Sequence, residues 1–144
     1  MKIALGPSLI VALIFAFTVT RPANAQPGGS REQLEQMFTN IAQKTDWDMS
    51  KDMLWGYFFT NPSHQPLELA SRDLSKLGYR VVSIYPADKE SSADPDLWWL
   101  HVERVETHSV TSLFKRNAEL SIFATRLGLA SYDGMDVGPV NAKK

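Results

Sequence analysis

The chain has 144 residues, with 15 Lys and Arg against 16 Asp and Glu, a net charge of −1, and no cysteine. So even a balance offers no basic footprint by which bulk charge would hold a polyanion. The lack of thiols excludes a disulfide framework, a thiolate-ligated metal and a cysteine nucleophile.

Residues 1–25 have the pattern of a cleavable signal peptide. Lys2 and the terminal amine are positive, Leu9 to Phe17 is an unbroken apolar run, and Ala23-Asn24-Ala25 supplies the small residues that signal peptidase needs, so cleavage is expected before Gln26. The alternative is an uncleaved anchor. Ile3 to Val19 is only 17 residues, however, and Gly6, Pro7 and Ser8 interrupt it, at the short limit for crossing roughly 30 Å of hydrocarbon. Cleavage leaves 119 residues, the size of one domain. Loss of Lys2 and Arg21, with no acidic residue, leaves 13 basic against 16 acidic side chains, a charge of −3. The expected location is the periplasm or the exterior.

Residues 26–30 form a Pro/Gly spacer, and Ser30 with Gln33 has the spacing of a capping box that opens a helix at Arg31. Leu34, Met37, Phe38 and Ile41 give that helix, running to about residue 45, one apolar side. Met53 to Thr60 reads as an aromatic strand. Pro66 fits the first turn of a second helix, Leu67, Ala70, Leu74 and Leu77 line its inner face, and Gly78 stops it.

Tyr79 to Tyr85 is a β-branched strand, 86–96 a polar loop with two prolines and five charges, and Leu97 to Glu106 a long returning strand. With period-two alternation, Trp98, Leu100 and Val102 face the helices, while Trp99, His101 and Glu103 face the other way. Ser109 caps a third helix, with Leu113, Leu120, Ala124 and Leu127 inward and Gly128 at its end. Ser131 to Val137 is the last strand. The order predicts an α+β fold, a ferredoxin-like βαββαβ sandwich with an additional N-terminal helix.

Several ordered blocks resemble the RraB family, which is named for regulation of ribonuclease E activity. They are Trp55-Gly56-Tyr57-Phe58-Phe59-Thr60, the Leu74 to Tyr79 helix end, Trp98 to Val102, and above all Tyr132-Asp133-Gly134-Met135-Asp136-Val137-Gly138. The match runs from about Glu32 to Val140, so 31–144 is taken as one RraB-like domain. The resemblance implies a ferredoxin-like domain that works by binding a protein, with no cofactor and no chemistry of its own. Family regulators act in the cytoplasm and are strongly acidic. This chain has an export signal and little net charge, which points to a different, extracytoplasmic partner.

Two side-chain groups are candidates for a site. In a ferredoxin-like sheet the first and third strands are central, and one face is expected to carry Trp55 and Tyr57 beside Trp99 and His101, covered either by the apolar stripe of helix 31–45 or by a partner, which would meet this surface or the loop 86–96. RNA-recognition domains stack bases on such a face, but neither strand has their basic-Gly-aromatic signature and the charge is negative. The alternative class is a small exported hydrolase or ligand-binding protein using His101, Glu103, Asp133 and Asp136. Asp133-Gly134 is equally turn chemistry that shapes the last strand. His64 and His108 lack metal-ligand spacing, and His101 with Glu103 would need a third ligand from elsewhere, so no metal is expected.

Overall fold

The computed structural model describes residues 26–141, so the expected signal peptide lies outside the described residues. Gln26-Pro27-Gly28-Gly29 forms a tight turn in which the Gly29 N–H donates to the Gln26 carbonyl at 3.0 Å. Pro27 occupies the second position and Gly28, at φ +87°, the third, as a type II turn requires. Helix α1 (Arg31–Lys44) follows. Ser30 Oγ accepts the Gln33 N–H, and the Gln33 side chain accepts the Ser30 N–H, completing the expected capping box.

Strand β1 (Met53–Asn61), helix α2 (His64–Lys76), strands β2 (Arg80–Pro86) and β3 (Trp98–Glu106), helix α3 (Val110–Arg126) and strand β4 (Ser131–Gly138) complete the domain. The sheet order is β2-β3-β1-β4 with every neighbouring pair antiparallel, the ferredoxin-like arrangement expected from the element order. Helix α3 opens on a second capping box, Ser109 with Ser112. Leu77 differs from expectation: it caps α2 instead of lining its inner face and is 58 % exposed. The helix has ended there, so the 3.6-residue period no longer places the side chain inward.

The core lies between the helices and one face of the sheet. Trp55, Tyr57 and Phe59 of β1, with Leu100 and Val102 of β3, are fully buried there. Phe38 of α1 stacks on Trp55 at 6.3 Å, and Phe123 of α3 meets Phe59 edge-on at 5.9 Å. Burying each large apolar side chain contributes about 1.5–3 kcal/mol, so these five are a substantial part of the packing between layers. Among the described residues no helix is long and apolar enough to cross a membrane.

Gly78 has φ +95° and nothing closer than 3.9 Å to the position a Cβ would take. The constraint is therefore conformational, not steric crowding. Gly78→Val forces a β-branched residue into the left-handed region and is expected to destabilise by about 1–2 kcal/mol or more. Thermal unfolding checks this, and an unchanged midpoint would contradict the cap.

Candidate functional site

The register decides what each sheet face carries. β1 pairs with β3 so that Trp55 opposes Arg104, Tyr57 opposes Val102 and Phe59 opposes Leu100, while Gly56 opposes Glu103, Phe58 opposes His101 and Thr60 opposes Trp99. Directly opposed residues share a face. The odd-numbered residues of β1 therefore lie with the even-numbered residues of β3, beneath the helices. The four-residue surface expected from the sequence is thus divided. Trp55 and Tyr57 are core, covered in part by α1, and Trp99 and His101 lie on the opposite face. Among the described residues that face has no helix over it.

On this open face β1 contributes Leu54, Gly56, Phe58 and Thr60, β3 contributes Trp99, His101, Glu103 and Val105, and β2 adds Arg80, Ser83 and Tyr85 through its register. Phe58 is the residue the sequence reading missed. Its ring stacks on His101 at 4.4 Å and meets Trp99 edge-on at 6.3 Å, so aromatic surface is still present, on different residues. Tyr85, 38 % exposed, pairs with Trp99 across β2 and β3.

Gly56 explains how ionisable groups gather in the middle of this face. Asp136 of β4 opposes it across the β1–β4 ladder. A Cβ at Gly56 would collide with Asp136 Oδ1 and lie 2.8 Å from His101 Nε2, so both side chains lean over a floor that only glycine leaves open. Glu103 Oε1 lies 3.9 Å from His101 Nε2, and Arg80 Nη2 donates to Glu103 Oε2. His101, Glu103 and Asp136 thus do come together. Asp133 sits one register irregularity away, between Tyr132 and Gly134, where β4 bulges. Gly134 adopts φ +129°, so Asp133-Gly134 shapes the strand as turn chemistry would. Tyr132 faces the core, where its hydroxyl donates to Asn117 Oδ1 at 2.6 Å, and Gly138 ends the strand opposite Leu54.

Burial, and then the negative charge of Glu103, pushes the Asp136 carboxyl up to about 6, although the Gly56 N–H works the other way. Burial raises the Tyr85 phenol, and Asp136 and Asp133 add to the shift. The chemistry available here is proton exchange and the attraction of cations. Among the described residues no group of three or more His, Cys, Asp or Glu side chains is placed to hold a metal ion.

A second polar cluster lies on the helix side. Glu106 Oε1 accepts from the Tyr57 hydroxyl at 2.5 Å and from Arg116 Nη1 at 2.6 Å, and lies 2.9 Å from His108 Nε2. His108, only 6 % exposed, also meets Ser112 Oγ at 2.9 Å through Nδ1 and the Trp55 ring edge-on at 5.1 Å. These contacts hold the Glu106 carboxyl down at about 2 against the effect of burial, with His108, Tyr57 and Arg116 as donors. The Tyr57 phenol is driven well above its usual range, first by burial and then by Glu106. Every member is bonded to another, and the cluster ties the end of β3 to the start of α3. His64, the remaining histidine, opens α2 and pairs with Glu68 one turn on at 3.2 Å.

Fold and register are thus defined, and the comparison with known families gives the affiliation. The family model described as Regulator of ribonuclease activity B, RraB, matches residues 31–137. This chain belongs to the RraB family. The match takes in every strand and helix of the domain except the last residue of β4. No curated protein matches the chain. Family membership makes this a regulatory domain of the protein-binding kind.

The two buried carboxyls predict opposite pH responses. Glu106 is lowered in the fold, so its contribution is present above about pH 4.5 and is lost as pH falls through about 2. Asp136 is raised, so its ionisation costs stability, and the cost grows as pH rises from 3.8 to about 6. Glu106→Gln is expected to destabilise by about 2 kcal/mol at pH 7, after allowance for solvent screening. Asp136→Asn is expected to stabilise at pH 8 by about 1–2 kcal/mol and to lose most of that gain near pH 4. Denaturant titrations across pH 3–8 check both signs.

Proposed function

We propose that the protein is a noncatalytic regulatory domain, exported from the cytoplasm, that binds a protein partner through the open face of its sheet. One observation carries this reading. All three helices pack on a single face, and the face left open presents Phe58, Trp99 and Tyr85 around a polar centre instead of a uniformly hydrated surface. Aromatic side chains are among those that protein interfaces favour. Family membership supports a regulatory role, and the signal-like residues 1–25 support a partner outside the cytoplasm, different from ribonuclease E.

A hydrolase using His101, Glu103, Asp133 and Asp136 is the weaker reading. Glu103 is already engaged by Arg80, and Asp133 belongs to the bulge that shapes β4. The cluster is more simply an electrostatic feature of a docking face.

Three measurements test the proposal. The intact mass of protein recovered from the periplasm or medium is expected to correspond to a chain beginning at Gln26, and full-length protein in the membrane would support the uncleaved anchor instead. Capture from an envelope extract is expected to yield a partner that the Phe58→Ala/Trp99→Ala protein loses by at least about tenfold. A substitution on the solvent side of α1, Glu35→Ala, is expected to leave capture unchanged. Loss with Glu35→Ala and retention with the double variant would move the interface to the helices. A version beginning at Gln26 and kept in the cytoplasm is expected to leave RNA decay unchanged.

A further inference from the structure

We infer that the turn 26–29 is a lock that sets the order of processing and folding: once it has docked on α3, the bond before Gln26 resists the peptidase, so residues 1–25 are removed from the unfolded chain. This inference rests on the export reading, from which it takes the cleavage site. A peptidase acts on backbone that it can lay out across its cleft on both sides of the bond. Burial and hydrogen bonding of the residues beside the bond therefore decide whether it can act.

The segment read from the sequence as a spacer is not spare chain. The Gln26 carbonyl accepts the Gly29 N–H at 3.0 Å, so the chain reverses immediately after the expected cleavage site. The Gln26 side chain reaches α3, with Nε2 at 3.5 Å from the Phe114 carbonyl. Gly28 is buried, and Asn117 Nδ2 donates to its carbonyl at 3.4 Å. A Cβ at Gly28 would lie 2.3 Å from Asn117 Cγ, so the turn backbone packs directly on that side chain.

Asn117 is what turns this contact into a lock. It is fully buried, and its Oδ1 accepts the Tyr132 hydroxyl at 2.6 Å, so one amide joins the turn, α3 and β4. Just beyond the turn, Arg31 Nη2 donates to Thr111 Oγ1 at 2.9 Å and ties the start of α1 to the same helix. Straightening residues 26–28 into a peptidase cleft would break the turn bond, uncover Gly28 and strip Asn117 Nδ2 of its acceptor inside the core. A buried amide donor left unpaired is costly. Cleavage of the folded precursor thus draws only on a minor, locally opened population, whereas the unfolded chain offers the bond freely.

The test is cleavage of purified full-length protein, folded in detergent micelles, by purified signal peptidase, followed by intact mass. The comparison is a variant with Gln-Gly-Ser-Ser-Gly-Ser inserted between Ala25 and Gln26, which keeps glutamine after the bond but moves the bond away from the fold. The folded natural chain is expected to be cleaved at least about tenfold more slowly than the insertion variant. Equal rates would overturn the lock and leave the export reading standing. If neither protein were cleaved, the expected cleavage site would fall and the lock with it. A second measurement reads the lock without the peptidase. In both proteins the Gly29 amide is expected to exchange its hydrogen at least about tenfold more slowly than an unstructured amide, and exchange at the unstructured rate would overturn the docked turn.

Discussion

The alternation of side chains along β1 governs the rest of this structure. β1 is hydrogen-bonded on both edges, to β3 and β4, so its nine residues cannot shift register without breaking two ladders. Trp55, Tyr57 and Phe59 all point to one side, and three rings of that size need cover from Phe38 of α1, Tyr79 and Phe123 of α3. Committing the three helices to that side leaves the other side to Gly56, Phe58 and their neighbours. The open face is therefore a consequence of where the core aromatics went.

The two sides also treat charge differently. On the helix side Glu106 is surrounded by donors, and Arg104 as well as Arg116 approaches it, so burial of the carboxylate is compensated. Tyr79 lies between these two arginines, 5.2 Å from Arg104 and 5.8 Å from Arg116, which carries the cationic environment across to the core. On the open side burial, and then the charge of Glu103, raise the Asp136 carboxyl instead of lowering it. A satisfied buried network specifies structure.

Much of the architecture was legible from the sequence, because local signals agreed with the global pattern. Ser30 with Gln33, Ser109 and Gly78 mark element ends through backbone hydrogen-bonding needs that do not depend on distant contacts. The division of Trp55 and Tyr57 from Trp99 and His101 was not read, because alternation within one strand does not state which parity its neighbour shares. A signal was nevertheless present. The odd residues of β1 are Met53, Trp55, Tyr57 and Phe59, whereas the even ones include Gly56 and Thr60, so the more apolar set belongs with Leu100 and Val102. Glu106, His108 and Arg116 carried no such signal. Arg116 and Glu106 meet only because α3 folds back over the sheet, and a charged residue on a helix otherwise reads as solvated. Asn117, fully buried on α3, bonds Tyr132 and the Gly28 carbonyl and escaped notice for the same reason.

The position of Asp136 argues for function over stability. An asparagine would keep nearly the same shape over Gly56 without the repulsion from Glu103, and any side chain at 56 would collide with Asp136 and crowd His101. The chain instead places a glycine beneath two converging ionisable side chains and holds a carboxyl there at a cost to the fold. Such local conflict with an otherwise consistent structure marks places where interaction has been kept at the expense of stability.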